Sequence, residues 1–161
     1  ASAAQGNANA QYNLGWAHRH GRGGLPQSDE RAVELYKASA AQGPAKAHYN
    51  LGALYAHGDG VAQSIAEARR LLELASTHGH TDAPNLLRRL AHAWPLLGRR
   101  VVFVGLTRAD FNGTRGTAND FCDGRYVVQR DGPEGRSVRV KPSNLKEEEG
   151  GEATQKGRGA R

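Results

Sequence analysis

The chain contains one cysteine, Cys122, and no methionine, and its longest fully apolar stretch lies at Val101–Val104. A single cysteine excludes an internal disulfide and leaves any cysteine-based zinc site incomplete. The apolar stretch is far too short to span a bilayer, which takes about 20 residues in a helix. Without methionine there is no initiator, so the sequence reads as a piece of something longer. The lack of a signal peptide at its start is then uninformative, and the expected compartment is intracellular, cytoplasmic or nuclear. The charge is lopsided too. Residues 1–98 carry nine Lys/Arg against seven Asp/Glu, residues 99–145 nine against five, and residues 146–161 four against four. The excess of positive charge therefore sits in a short second segment.

What the chain does have is internal repetition. Ala1–Gly6 reads the same as Ala38–Gly43, and Gly6 to Gly43 and Gly43 to Gly79 are steps of 37 and 36 residues. A fixed period of this length marks an array of helical repeats. Because Ala1–Gly6 matches text that ends a helix in the next copy, the chain is expected to begin inside a repeat.

Each repeat reads as two helices. The first runs from about Asn7 to His20, with Ala10, Leu14 and Ala17 at helical spacing. Gly15 and Gly52 sit inside first helices, one period apart, where glycine costs about 1 kcal/mol against alanine. Their presence predicts a partner helix at very close range. Gly21 and Gly23, like Gly58 and Gly60, are expected to end the helix and turn the chain. The second helix begins near Ser28 and Asp29 and stops at Gly43, after which Pro44 occupies the first turn of the next helix. Repeat two follows as Ala45 to His57 and Ser64 to His78. A further first helix, about Asp82 to Ala93, has Leu86, Leu87 and Leu90 as its apolar face and ends at Trp94-Pro95. With no second helix after it, it is expected to cap the stack.

The text Y-N-L-G-x-x-Y-x-x-G-x-G-V, then S-x-x-E-A, then A-x-x-G resembles the Sel1-like repeat, a relative of the tetratricopeptide repeat. Tyr49, Asn50, Leu51, Gly52, Tyr55, Gly58, Gly60, Val61, Ala68 and Gly79 lie on that pattern. His18 and Leu25 depart from it in the first copy. The resemblance implies a curved α-solenoid that holds partner proteins, usually as an adaptor, and it implies no catalysis.

From Gly98 the pattern changes to short β-branched and aromatic runs: Val101–Val104, Thr117–Phe121, Tyr126–Val128 and Ser137–Lys141. Asn112-Gly113 and Asp123-Gly124 mark turns, the second a strong hairpin signal. The text G-R-x-V-x-x-x-G-L, F-N-G-x-x-G, G-R-Y-x-V and V-x-V-K-P-x-N-L resembles a small SH3-like barrel that recurs beside ankyrin or Sel1-like repeats and MYND-type zinc fingers. Phe111 replaces the usual leucine before Asn-Gly. The Asn-Gly-x-x-Gly core also resembles the KOW strand-turn. The expected organisation is a multidomain α and β chain. It has a short α-solenoid of helix-turn-helix repeats over 1–97, an all-β SH3-like barrel over 98–145 and a disordered polar tail over 146–161.

Catalytic and metal-binding readings are weak. His18 and His20, or His78 and His80, lie two apart, which on a helix sends them to different faces. Cys122 stands beside Asp123, which opposes thiolate formation. The glycines at 21, 23 and 24 lie between helices, whereas a phosphate loop follows a strand. No metal, no cofactor and no enzymatic activity is expected. By analogy with tetratricopeptide stacks, Asn9, Asn13, Trp16 and Arg19 from repeat one and Lys46, Asn50 and His57 from repeat two face a protein or peptide partner. Asn13 and Asn50 either bond a partner backbone or brace the helix pair. Trp16, where the second repeat has Ala53, is either an anchor or core filling. His20 and His57 suit helix C-termini.

The alternative function is nucleic-acid binding through the basic second segment, with Arg99, Arg100, Arg115, Arg125 and Arg139 as candidate contacts. Few aromatics there are free to stack on bases. A regulatory arm of a larger enzyme is the third reading.

Overall fold

The computed structural model describes residues 6–149, and the chain divides into two compact units, Ala1–Ala93 and Trp94–Arg161. The repeat text at Ala1–Gly6 falls, up to residue 5, outside the described residues.

The first unit is an α-solenoid of five helices: α1 (Ala8–His20), α2 (Asp29–Ala40), α3 (Ala45–His57), α4 (Ile65–Thr77) and α5 (Ala83–Ala93). Side-chain caps set three of the starts. Asn7 accepts from the Ala10 amide at 2.9 Å, and Ser28 and Ser64 accept from Arg31 and Glu67 at 3.1 Å each. Each cap satisfies an amide that the helix cannot, worth about 1 kcal/mol. Asp29 and Glu30 add negative charge to the first turn of α2.

α1 packs on α2, α3 on α4, and the pairs are joined through α2–α3 and α4–α5. The two mid-helix glycines are explained by this packing. A Cβ on Gly15 would stand 3.0 Å from the Tyr36 ring, and one on Gly52 would stand 3.0 Å from Leu72 Cγ and 3.2 Å from the Ala68 carbonyl. Gly60, at φ +65°, goes further: its Cβ would lie 2.3 Å from the Asp29 carbonyl carbon. The turn of the second repeat thus presses backbone to backbone on the start of α2. Ala32, Val33, Tyr36, Leu51, Leu54 and Leu71 form one core across both repeats. Polar bonds reinforce it: Ser39 Oγ donates to the Ala8 carbonyl at 2.7 Å and Gln42 Nε2 to Gln11 Oε1 at 2.8 Å. In α5, Leu90 and Ala83 are buried, while Leu86 and Leu87 are half-buried.

The second unit is a five-stranded antiparallel sheet of β1 (Arg100–Phe103), β2 (Arg115–Cys122), β3 (Arg125–Arg130), β4 (Ser137–Val140) and β5 (Leu145–Glu147), in the order β4-β3-β2-β1-β5. Val101, Phe103, Ala118, Tyr126, Val128, Val140 and Leu145 supply its buried side chains. Asp123 and Gly124 turn β2 into β3 with φ of 49° and 73°, the left-handed values a two-residue hairpin needs. Short 3₁₀ turns interrupt the β1–β2 loop at Ala109–Phe111 and join β4 to β5 at Pro142–Asn144.

Three features differ from the sequence reading. The sheet is not closed: among the described residues β4 pairs only with β3 and β5 only with β1, so these two short strands are its edges. The polar tail does not start at Lys146. Lys146 and Glu147 pair with Val102 and Val101, and the Glu148 amide donates to the Arg100 carbonyl at 2.9 Å. Main-chain pairing orders this stretch without an apolar side chain; the rest of the expected tail, 150–161, lies outside the described residues. The junction is also earlier than residue 97. The Trp94 ring centroid lies 5.6 Å from that of Phe121, and the Gly98 amide donates to the Ala118 carbonyl at 2.7 Å.

Candidate partner-binding surface

The first helices of the two repeats carry the seven residues singled out from the sequence, and the structure divides them. Asn9, Asn13 and Trp16 share the exposed side of α1. Trp16 is 43% exposed, and its ring stacks on His20 with centroids 4.5 Å apart. His20 is fixed in turn, because its Nδ1–H donates to the Trp16 carbonyl at 2.9 Å. His57, one period on, repeats that bond to Ala53 at 2.8 Å. Both histidines thus bond back to the carbonyl four residues earlier, near the end of a helix.

Lys46 and Asn50, one period after Asn9 and Asn13, are engaged inside the unit. The Lys46 ammonium lies over the Tyr12 ring, 4.4 Å from its centroid, and the Asn50 amide donates to the Tyr12 hydroxyl at 3.2 Å. Tyr12 is therefore held by two side chains of α3. Asn50 braces the stack, and the Asn13 side chain makes no hydrogen bond among the described residues. Arg19 reaches Asp59 of the second repeat's turn at 3.8 Å, with both side chains partly open to solvent.

Behind this surface sits Tyr36, packed on Tyr12 with centroids 5.6 Å apart. Its hydroxyl is buried and closes no hydrogen bond among the described residues. Burial pushes its pKa up to about 12, and the nearby Asn50 amide pulls in the opposite direction.

The arginines of the second unit are mostly paired. Arg100 forks onto Asp131 and bonds Glu148 at 3.2 Å. These carboxylates drive its pKa up, and Arg100 in turn holds Asp131 below the usual carboxylate range. Arg115 meets Glu148 at 2.7 Å, Arg99 meets Glu147 at 3.6 Å and Arg139 meets Asp123 at 3.5 Å. Of the five candidate nucleic-acid contacts, only Arg125 has no carboxylate partner among the described residues. Sequence reasoning missed the part played by Tyr12. The 37-residue spacing of Tyr12 and Tyr49 was the available signal, and it reads as core.

Among the described residues no group of three His, Cys, Asp or Glu side chains is placed to hold a metal ion, and no helix is long and apolar enough to cross a membrane.

Helix pairs stacked at a period of 36 to 37 residues, with glycines at the crossing points, define a helical-repeat solenoid. The Sel1 repeat family model matches residues 8–44 and 45–80. Among solved structures, a Sel1 repeat protein from Oxalobacter formigenes is 32% identical, with a TM-score of 0.52 over 54% of this chain and 65% of that one. The c5321 protein, described as a protective antigen of uropathogenic Escherichia coli with an SLR fold, is 38% identical over 50% of this chain and 17% of its own, with a TM-score of 0.48. The chain thus spans less than two thirds of either. No curated protein sequence matches it. Sel1 repeat proteins generally mediate protein–protein interaction.

Proposed function

We propose that the helical unit is a non-enzymatic scaffold or adaptor element that holds a segment of a partner protein against the α1 side of the first-helix surface. The observation that carries this reading is the exposed row Asn9, Asn13 and Trp16. It joins two amides able to bond a partner backbone to an indole already fixed by His20. Lys46 and Asn50 support this row indirectly, by holding Tyr12 of the same helix. Arg19, only loosely tied to Asp59, is available to a partner carboxylate.

The sheet is read as an SH3-like barrel left open. The placing of β1 between β2 and β5, with a 3₁₀ turn carrying the chain from β4 to β5, supports that reading. Nucleic-acid binding has weaker support, because paired arginines release fewer counterions on meeting phosphates.

The test compares partner recovery by the full chain and by a variant carrying Asn9→Ala, Asn13→Ala and Trp16→Ala, with melting curves for both. Loss of recovery at unchanged melting temperature is the expected result. Equal recovery by the two proteins rejects the α1 surface.

A further inference from the structure

The second unit has a cleft of about 410 Å³. One wall is the β1–β2 loop, with Leu106, Arg108 and Phe111; the other is Val138–Lys141, at β4 and its end, with Arg125 and Asn144 beside it. Its floor is apolar: Phe103 and Val140 are buried, and Leu106, Phe111 and Val138 are half-buried. Every ionisable side chain lining it is cationic: Arg108, Arg125, Arg139 and Lys141.

Two of these cations are partly answered within the chain, Arg108 by Asp110 at 2.8 Å and Arg139 by Asp123 at 3.5 Å, on side chains that are all more than half exposed. Such exposed pairs are weak and exchangeable. Arg125 and Lys141 are exposed and have no carboxylate partner among the described residues. Alternate side chains of a strand point to opposite faces, yet four consecutive residues, 138–141, line the cleft. The cleft therefore runs along the free edge of β4, whose only strand partner among the described residues is β3.

We infer that this cleft binds an extended acidic segment of a partner protein, seating one apolar side chain on the Phe103–Val140 floor between carboxylates that meet Arg125 and Lys141. The sheet edge accommodates the extended backbone by strand addition. A protein segment fits better than a nucleic acid. The Phe103 ring in the floor is fully buried and offers no free face to a base, and the Phe111 ring that a base would stack on is already engaged by Arg108 and Arg130, at 4.5 and 4.3 Å from its centroid.

The test uses the full chain and a short fluorescein-labelled peptide with a central leucine flanked by glutamates, read by anisotropy. Companion probes replace the leucine by glycine, or the peptide by a single-stranded oligonucleotide. The expected result is saturable binding of the leucine peptide that weakens with salt. It falls about tenfold or more in the Arg125→Glu/Lys141→Glu variant, and amide shifts are confined to residues 106–111 and 138–144. Both substituted positions are exposed, and an Arg88→Glu/Arg89→Glu variant in α5 controls for bulk charge and keeps full affinity. Absence of binding, equal binding by the cleft variant, equal binding of the glycine peptide, or tighter binding of the oligonucleotide through the same residues overturns the inference.

Discussion

The Asn50 amide donates to the Tyr12 hydroxyl at 3.2 Å, so the first helix of the second repeat grips the first helix of the repeat before it. Asn50→Ala removes a half-buried hydrogen bond and is expected to cost about 1 kcal/mol in urea unfolding. Asn13→Ala, the same change one repeat earlier, is expected to stay within about 0.5 kcal/mol of the parent. Tyr12→Phe and Asn50→Ala together should cost less than the sum of the two, because each breaks the same bond.

Gly52 and Gly60 fill two different kinds of close contact. Gly52→Ala sets a methyl 3.0 Å from Cγ of the fully buried Leu72 and 3.2 Å from the Ala68 carbonyl oxygen, and is expected to destabilise by about 1–2 kcal/mol once the gain in helix propensity is included. Gly60→Ala meets backbone at 2.3 Å and carries a positive φ, so a loss of about 3 kcal/mol or more is expected. Thermal melts of both variants establish the order.

Tyr36 makes the helical unit sensitive to alkali. Its pKa is raised by burial from 10.0 to about 12, so the folded state holds the phenolic proton more tightly than the unfolded state does. The associated stability is complete below pH 10 and is lost as pH rises toward 12. Tyr36→Phe removes that slope from a plot of urea stability against pH. At neutral pH it is expected to be neutral or stabilising by up to about 1 kcal/mol, because it deletes a buried hydroxyl without a partner.

The Arg100–Asp131 pair produces the opposite dependence in the sheet. Asp131 is held below its ordinary pKa, so its contribution is present above about pH 4 and fades as pH falls through the lowered value. The Asp131 side chain is 49% exposed, and its share is of the order of 0.5 kcal/mol after solvent screening. Asp131→Asn should flatten the acid side of the stability profile by that amount. Arg100→Gln should cost more, since it also strips Glu148 of one of its two guanidinium partners.

The helices were legible because their signals are local. Ser28, Ser64, Gly21 and Gly58 set ends through bonds within one turn, and the period announced itself in repeated glycines and tyrosines. Gly15 and Gly52 even disclosed the helix contacts, since only close approach rewards glycine at such positions. The strands were legible for a similar reason, but closure of the sheet was not, because it depends on whether β4 and β5 meet. Lys146–Glu148 read as tail because their order comes from main-chain pairing and from Arg100 and Arg115, far back in the chain. The cleft was hidden altogether: Leu106 and Lys141 come to line one cleft only through the folding of the sheet. Among the binding candidates, the equivalence of Asn13 and Asn50 could not reveal that one is exposed and the other spoken for by Tyr12.

That same grip on Tyr12 makes the two repeats non-interchangeable parts. Where α3 offers Lys46 and Asn50 to a tyrosine ring, α1 offers Asn9 and Asn13 at the matching positions. A duplicate of repeat one spliced after residue 44 would meet Tyr12 without an ammonium, whereas a duplicate of repeat two placed there would keep both contacts. The junction therefore carries a spelling rule: what may follow a repeat is written in the first turns of its successor.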